Sequence, residues 1–217
     1  MSTEVREIHH AMPSGRLRFG VKRALDIVIS SLLLLAFAPL MAVIAVLLKL
    51  TESGPVLFQW NIVGVGGRPV RSYKFRTMVQ GAEAIEADLR RQGHNEMKSV
   101  YCKARNDPRV TPLGRFLRRY SLDEIPSLWS VLHGELSLVG PRPVRLVEVP
   151  HLRDWHYERF AVRPGLTSPW VIGGKERISD FDEIAALDID YIRRWSVWRD
   201  FAILARTAGY MLSGRNH

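Results

Sequence analysis

Asp123 and Glu124 stand side by side in Tyr120-Ser121-Leu122-Asp123-Glu124-Ile125-Pro126. Adjacent carboxylates at the mouth of a helix can share one hard divalent cation, or divide the roles of nucleophile and metal ligand. A structural role competes with that chemistry. Ser121 and Glu124 have the S-x-x-E spacing of a capping box. With Ser121 as N-cap, however, the ring of Pro126 would clash with the carbonyl of Leu122. The helix is therefore expected to begin later, with Asp123 near the N-cap and Pro126 in the first turn, where proline is tolerated. A plain N-cap aspartate is the non-catalytic alternative.

Cations in constrained settings surround the pair in sequence. Lys74 and Arg76 alternate on one strand face, so both can reach the same anion. Arg115, Arg118 and Arg119 shortly precede the carboxylates. Arg142 lies between Pro141 and Pro143, which stiffen the backbone presenting its guanidinium. Arg163 precedes Pro164-Gly165, read as a type II turn. Each alone is ordinarily a solvated charge; together, beside two carboxylates, they point to a metal-assisted phosphate site.

These residues need a scaffold, and 217 residues with 47% hydrophobic content suffice for one compact domain with an anchor. The net charge of +9 draws the chain to polyanions without choosing among nucleic acid, lipid headgroups and phosphorylated substrates. A lone cysteine, Cys102, excludes an internal disulfide framework. The seven histidines form no HExxH or paired Cys/His spacing, which argues against a transition-metal centre.

An uncharged stretch from Ile27 to Leu48 is long enough to cross a bilayer as a helix. Membrane residence follows, with three arrangements open. Ala36-Phe37-Ala38 offers a signal-cleavage pattern, but Pro39 follows the would-be cut and the apolar run continues past it. A single-pass anchor and a re-entrant hairpin bent at Pro39 remain equally matched. Basic residues flank both ends (Arg16, Arg18, Lys22 and Arg23 before; Lys49, Arg68 and Arg71 after), which favours neither end crossing.

Beyond the anchor, Val56–Trp60 and Val70–Phe75 read as two strands joined by Gly64-Val65-Gly66-Gly67. Glycines that cradle phosphate lead into a helix, whereas these lead into a strand, so a hairpin is expected. Ala82 to Arg91 reads as a solvated helix, and Asn106-Asp107-Pro108 as a turn. Ile125, Leu128, Trp129 and Leu132 fall on one helical face stopped by Gly134. Leu136 to Val139 is extended. Phe181–Trp195 and Trp198–Leu212 read as helices, whose mixture of Trp and Arg suits either a headgroup layer or ordinary core packing.

The run from Asn106 through Gly114-Arg115-Phe116-Leu117-Arg118-Arg119 to Asp123-Glu124-Ile125-Pro126, continuing to Leu136-Ser137-Leu138-Val139-Gly140-Pro141-Arg142-Pro143, resembles the bacterial sugar transferase family of monotopic phosphoglycosyl transferases. Lys22-Arg23-Ala24-Leu25-Asp26, Tyr73-Lys74-Phe75-Arg76-Thr77-Met78, Val162-Arg163-Pro164-Gly165-Leu166-Thr167 and Leu212-Ser213-Gly214-Arg215 extend the likeness over roughly residues 20 to 215. The resemblance implies an α-rich α+β fold: a re-entrant membrane helix broken at Pro39, interfacial amphipathic helices and a small β-hairpin. It divides the chain into a flexible basic tail (1–20), the membrane helix (21–50) and a catalytic domain (51–217) on the cytoplasmic face of the bacterial inner membrane.

It also implies a reaction. Asp123 attacks the sugar-proximal phosphorus of a UDP-sugar, UMP leaves, and undecaprenyl or another polyprenyl phosphate takes the phosphosugar, initiating surface-glycan assembly. Glu124 and Asp123 bind Mg²⁺; Lys74, Arg76, Arg118, Arg142 and Arg163 hold phosphates or the lipid headgroup. Membrane lipid is an expected partner, nucleic acid is not, and a homodimer is left open. The rival from another class is a degenerate membrane-anchored scaffold of a polysaccharide assembly complex.

The sequence departs from the family in three places. Ala38 replaces the serine that often precedes the helix-breaking proline, Ser127 and Ser130 stand where Gln and Asn are common, and Ser168-Pro169-Trp170-Val171-Ile172-Gly173-Gly174-Lys175 replaces Gly-x-Trp-Gln-x-x-Gly-Arg. The second and third imply a change of sugar or of activity. The short N-terminal tail implies a minimal catalytic unit.

Overall fold

The computed structural model describes residues 16–91, 107–173, 178 and 180–213. The expectations for the tail up to residue 15, Cys102, Asn106, Gly174-Lys175 and Gly214-Arg215 lie outside them.

The apolar stretch forms one helix, α1 (Arg16–Thr51), long and apolar enough to cross a membrane. From Lys22 to Leu48 one stripe of it faces the rest of the protein. Arg23 donates to the carbonyls of Val131 and Leu132. Asp26 is buried and accepts from Leu138 N–H and Ser137 Oγ at 3.0 and 3.1 Å. Ile29, Leu33, Leu34, Phe37 and Met41 pack on the main core, and Ile44 and Leu48 on Phe75 and Leu117. The opposite face, Val28, Leu32, Leu35, Val43, Val46 and Leu50, is exposed. Only 11% of the most apolar window is buried, unlike a core helix of a water-soluble protein. Pro39 lies inside this helix, which continues through it. Its missing N–H costs one backbone hydrogen bond, but Phe37 and Met41 on either side are held by the same core.

After α1, the hairpin β1 (Leu57–Val63) and β2 (Pro69–Phe75) pairs from Leu57↔Phe75 to Val63↔Pro69. Gly66, at φ +66°, permits the tight connection. Helices α2 (Ala82–Arg91) and α3 (Pro112–Arg119) precede a 3₁₀ turn over Leu122–Glu124 and helix α4 (Ser127–His133). Gly134 at φ +79° ends α4, as expected. Strand β3 (Ser137–Val139), 3₁₀ segments over Leu146–His151 and Asp154–Ala161, strand β4 (Gly165–Thr167), short α5 (Pro169–Ile172), α6 (Phe181–Arg193) and α7 (Val197–Leu212) complete the order.

Two readings need correction. The buried face of α4 is Ser127, Leu128, Ser130 and Val131, whereas Trp129 is 54% exposed. The small serines allow close approach to β2: Ser127 Oγ donates to the Tyr73 carbonyl at 2.8 Å. Pro164-Gly165 is not a type II turn either; Gly165 opens β4, paired in parallel with β3. Glycine is required there because a Cβ would lie 2.1 Å from the Gly140 nitrogen.

The main core joins Ile62, Ile125, Leu128, Val131, Leu136, Leu138, Val139, Tyr191 and Ile203. Asp200 ties α7 to α1 and α6, accepting from Lys22 Nζ at 2.6 Å, Tyr191 Oη at 2.6 Å and Trp195 Nε1 at 3.1 Å. Trp195, half-buried just before α7, thus packs against the core while Trp198 of α7 is 82% exposed, so the two tryptophans divide the roles open in the sequence.

Candidate active site

The carboxylate pair is presented by the segment between α3 and α4. Thr111 caps α3, its Oγ1 accepting from Gly114 N–H at 3.0 Å. The approach to residue 77 is close: a Cβ on Gly114 would meet the Thr77 carbonyl oxygen at 2.1 Å. Thr111 N–H donates to that carbonyl and Val79 N–H to Arg109 O, which fixes the direction of α3. Ser121 then adopts a left-handed conformation, φ 52° and ψ 26°, sparsely populated by non-glycine residues. The chain reverses into the 3₁₀ turn carrying Asp123 and Glu124. Pro126 is the residue before α4, so Asp123 sits in the preceding turn and not at the α4 N-cap, correcting that placement.

Two of the expected cations meet the pair. Lys74, from β2, contacts Glu124 Oε1 at 2.7 Å and lies over the Trp60 ring at 4.2 Å. Trp60 and Lys74 share a face of the hairpin, since Trp60 pairs with Ser72 and Phe58 with Lys74. Arg118, in the last turn of α3, donates from Nε to Thr77 Oγ1 at 2.9 Å. Burial pushes the Arg118 guanidinium down from its ordinary value; the Asp123 carboxylate, ahead of Asp107 and Glu124, pulls it back up. Arg118 and Asp123 therefore feel each other's charge.

The other three lie elsewhere. Strand β2 ends at Phe75, and Arg76 parts from Lys74, donating to the Ser53 carbonyl at 2.7 Å. Arg163 donates to the Gly134 carbonyl at 2.8 Å, at the far end of α4 from Asp123. Arg142 rests over Trp170 at 5.4 Å and 3.6 Å from Glu148.

A supporting cluster was not legible in the sequence. Arg109, 4% exposed, joins Asp107 at 2.8 Å and Glu86 at 2.7 Å, bracing the loop before α3. Burial would raise the Asp107 carboxyl, but hydrogen bonds from Arg109 outweigh it and hold the group below its ordinary value. The turn at Asn106-Asp107-Pro108 was visible in the sequence, but Arg109 and its distant partner Glu86 were not.

The pair also suits a hard cation. Carboxylates from neighbouring residues are the oxygen donors Mg²⁺ prefers, and Mg²⁺ fills its sphere with waters and substrate phosphates. Among the described residues no group of three or more His, Cys, Asp or Glu gathers, so a fully protein-built cage is not what this pair would form.

The sequence profile described as bacterial sugar transferase matches residues 17–214. The chain belongs to the bacterial sugar transferase family. Among the relatives of this sugar transferase, "Galactosyl transferase CpsE" of Streptococcus agalactiae is 40% identical over 193 residues, 89% of this chain and 42% of that protein. "UDP-glucose:undecaprenyl-phosphate glucose-1-phosphate transferase" of Caulobacter vibrioides is 36% identical over 223 residues, 99% of this chain and 79% of the relative. "Exopolysaccharide production protein ExoY" of Rhizobium meliloti is 36% identical over 189 residues, 86% and 83% of the two chains. The chain thus spans about two fifths of the first relative and about four fifths of the other two.

Proposed function

We propose that this chain transfers a sugar phosphate from a UDP-sugar to a polyprenyl phosphate, as the name of the Caulobacter relative describes for glucose and undecaprenyl phosphate. An Asp123 carboxylate oxygen attacks the sugar-proximal phosphorus as the bond to the UMP oxygen breaks, leaving a phosphosugar on the aspartate. A polyprenyl phosphate oxygen then attacks the same phosphorus, expels the carboxylate and yields a lipid diphosphosugar. The observation that carries this reading is the placement of Asp123 in the field of Arg118, beside a Glu124 that Lys74 engages.

An anionic nucleophile and anionic substrates repel, and fixed cations offset that repulsion at the forming bond. Asp123 and Glu124 would hold Mg²⁺, whose chemistry is neutralisation of phosphate charge. Arg76, Arg142 and Arg163 act outside the immediate pair, on donor phosphates or the lipid headgroup. The ExoY name supports a role at the start of exopolysaccharide assembly.

The same reading places α1 as re-entrant in the inner membrane, with the site on the cytoplasmic face. Its support is the stripe that binds α1 from Lys22 to Leu48 on one body. A helix of 36 residues measures roughly 54 Å, well beyond a bilayer core of about 30 Å. Crossing would strip one end from its contacts. The exposed apolar residues of α1, with Trp198 and Leu212 of α7, meet lipid instead.

The test is UMP release in detergent from UDP-glucose and UDP-galactose with undecaprenyl phosphate. Asp123→Asn is expected to lower turnover by about 10³-fold or more, and chelation to stop the unmutated chain. Undiminished release from Asp123→Asn would remove the assigned nucleophile.

A further inference from the structure

Arg142 is gripped at both polar groups of its backbone by one buried ion pair. Its N–H donates to Asp188 Oδ2 at 3.0 Å, and its carbonyl accepts from an Arg159 guanidinium nitrogen at 2.8 Å. That same nitrogen donates to Asp188 Oδ2 at 2.6 Å. The Arg159 and Asp188 side chains are 1% and 0% exposed. Pro141 and Pro143 restrict the backbone on either side. The outcome is a residue whose main chain is held on both sides and whose side chain, with the guanidinium over Trp170 and Nη1 buried near Glu148, retains 13% exposure.

An ion pair buried this completely is weak support for stability, because desolvation offsets its attraction and an apolar pair of equal volume commonly does as well. What a charge pair provides here and an apolar pair does not is simultaneous donation to a carbonyl and acceptance from an amide of one residue. We infer that Arg159 and Asp188 are positioning residues, holding Arg142 so that its guanidinium is pre-set for a phosphate of the nucleotide-sugar. This rests on the transfer reading above, with Arg142 as a phosphate contact. Pre-setting removes the entropy otherwise lost when a guanidinium orders around an anion. Its loss weakens donor binding more than the chemical step.

The experiment uses the full chain in detergent with undecaprenyl phosphate and whichever of UDP-glucose and UDP-galactose turns over. Asp188→Asn is expected to raise KM for the UDP-sugar about tenfold with kcat changed less than about threefold, the pattern of lost uniform binding. In the Arg142→Ala background, Asp188→Asn should add less than about twofold, since its effect runs through the missing guanidinium. Multiplying effects in the double variant, or an unchanged KM in Asp188→Asn while Arg142→Ala is impaired, would overturn the positioning role alone. Arg142→Ala with unaltered KM and kcat would instead remove Arg142 from the site, and the inference with it; no turnover by the unmutated chain would remove the transfer reading itself. If Asp188→Asn shows no cooperative melting, Arg159→Lys, which keeps the charge but not the planar fork, is read by the same criteria. Failure of both to fold would mark the pair as a core support and overturn the proposal.

Discussion

At the scale of single residues, the site depends on which cation meets which carboxylate. Lys74 is 50 positions from Glu124 and yet contacts it at 2.7 Å, with the Trp60 ring beneath. Partly exposed ion pairs of this kind contribute little to stability, about 0–1 kcal/mol, so the consequence lies in placement of charge. Arg118, desolvated and aligned by Thr77, is better insulated. Arg118→Met is expected to lower kcat by roughly 10²-fold, the scale seen when one charge-stabilising donor is removed, with an unchanged melting temperature; a kcat within twofold of the unmutated chain would exclude Arg118 from charge stabilisation. The adjacent carboxylates and their abundance of cations are legible in the sequence because they depend on residue type and local spacing. Their pairing is not, because it is decided by how β2, α3 and the 3₁₀ turn meet. Arg76 illustrates the difference: alternation with Lys74 predicts one shared anion, but the strand ends at Phe75 and the side chain turns to Ser53.

At the scale of elements, sequence pattern gave the bounds of α2, β2, α6 and α7 closely but ended β1 three residues short of Val63, and Gly134 marked the end of α4 through its left-handed backbone. The face of α4 was misread because Trp129 counts as apolar and Ser127 and Ser130 do not, whereas helix-to-strand contact here selects small residues. The parallel β3–β4 pair was only half visible. Three-residue strands carry too little pattern, and Gly165 invites a turn reading although close backbone approach is what requires it. One element carries a pH signature. His156 is buried in the 3₁₀ segment Asp154–Ala161, accepting from Arg153 N–H at Nδ1 and facing Asp182 with Nε2 at 2.9 Å. Burial lowers its pKa below 6.5, with Asp182 opposing. The folded chain then binds fewer protons there than the unfolded chain, so this histidine's contribution is present above pH 6.5 and is lost as pH falls from that value through the lower folded-state pKa. Asp188, pushed up to about 6 by burial against the pull of Arg159, acts in the opposite sense between about pH 4 and 6. Comparison with His156→Gln isolates the histidine: the drop in Tm from pH 7.5 to 5.5 should be smaller in the variant, and an equal drop would deny that His156 is held neutral.

At the scale of the whole molecule, α1 is at once the apolar element and a wall of the core. The sequence shows its length and basic flanks, but not that Asp26, Phe37, Met41 and Leu48 lie along one seam. On the re-entrant reading proposed above, residues 20 and 52 lie on one side of the bilayer. With Cys102→Ser as background, Gly20→Cys and Glu52→Cys should both react with an impermeant maleimide in inverted vesicles and neither in spheroplasts; reaction from opposite faces would establish a crossing helix. In the proposed reaction the seam, the left-handed Ser121 and the cations from β2 and α3 together serve one event, attack by Asp123 on phosphorus at the membrane surface. Mass spectrometry of the protein given UDP-sugar without lipid acceptor tests that event directly. A phosphosugar adduct on the peptide carrying Asp123, discharged on adding undecaprenyl phosphate, is the predicted result. Full product formation on completing the mixture, with no adduct on Asp123 under donor alone, would contradict it.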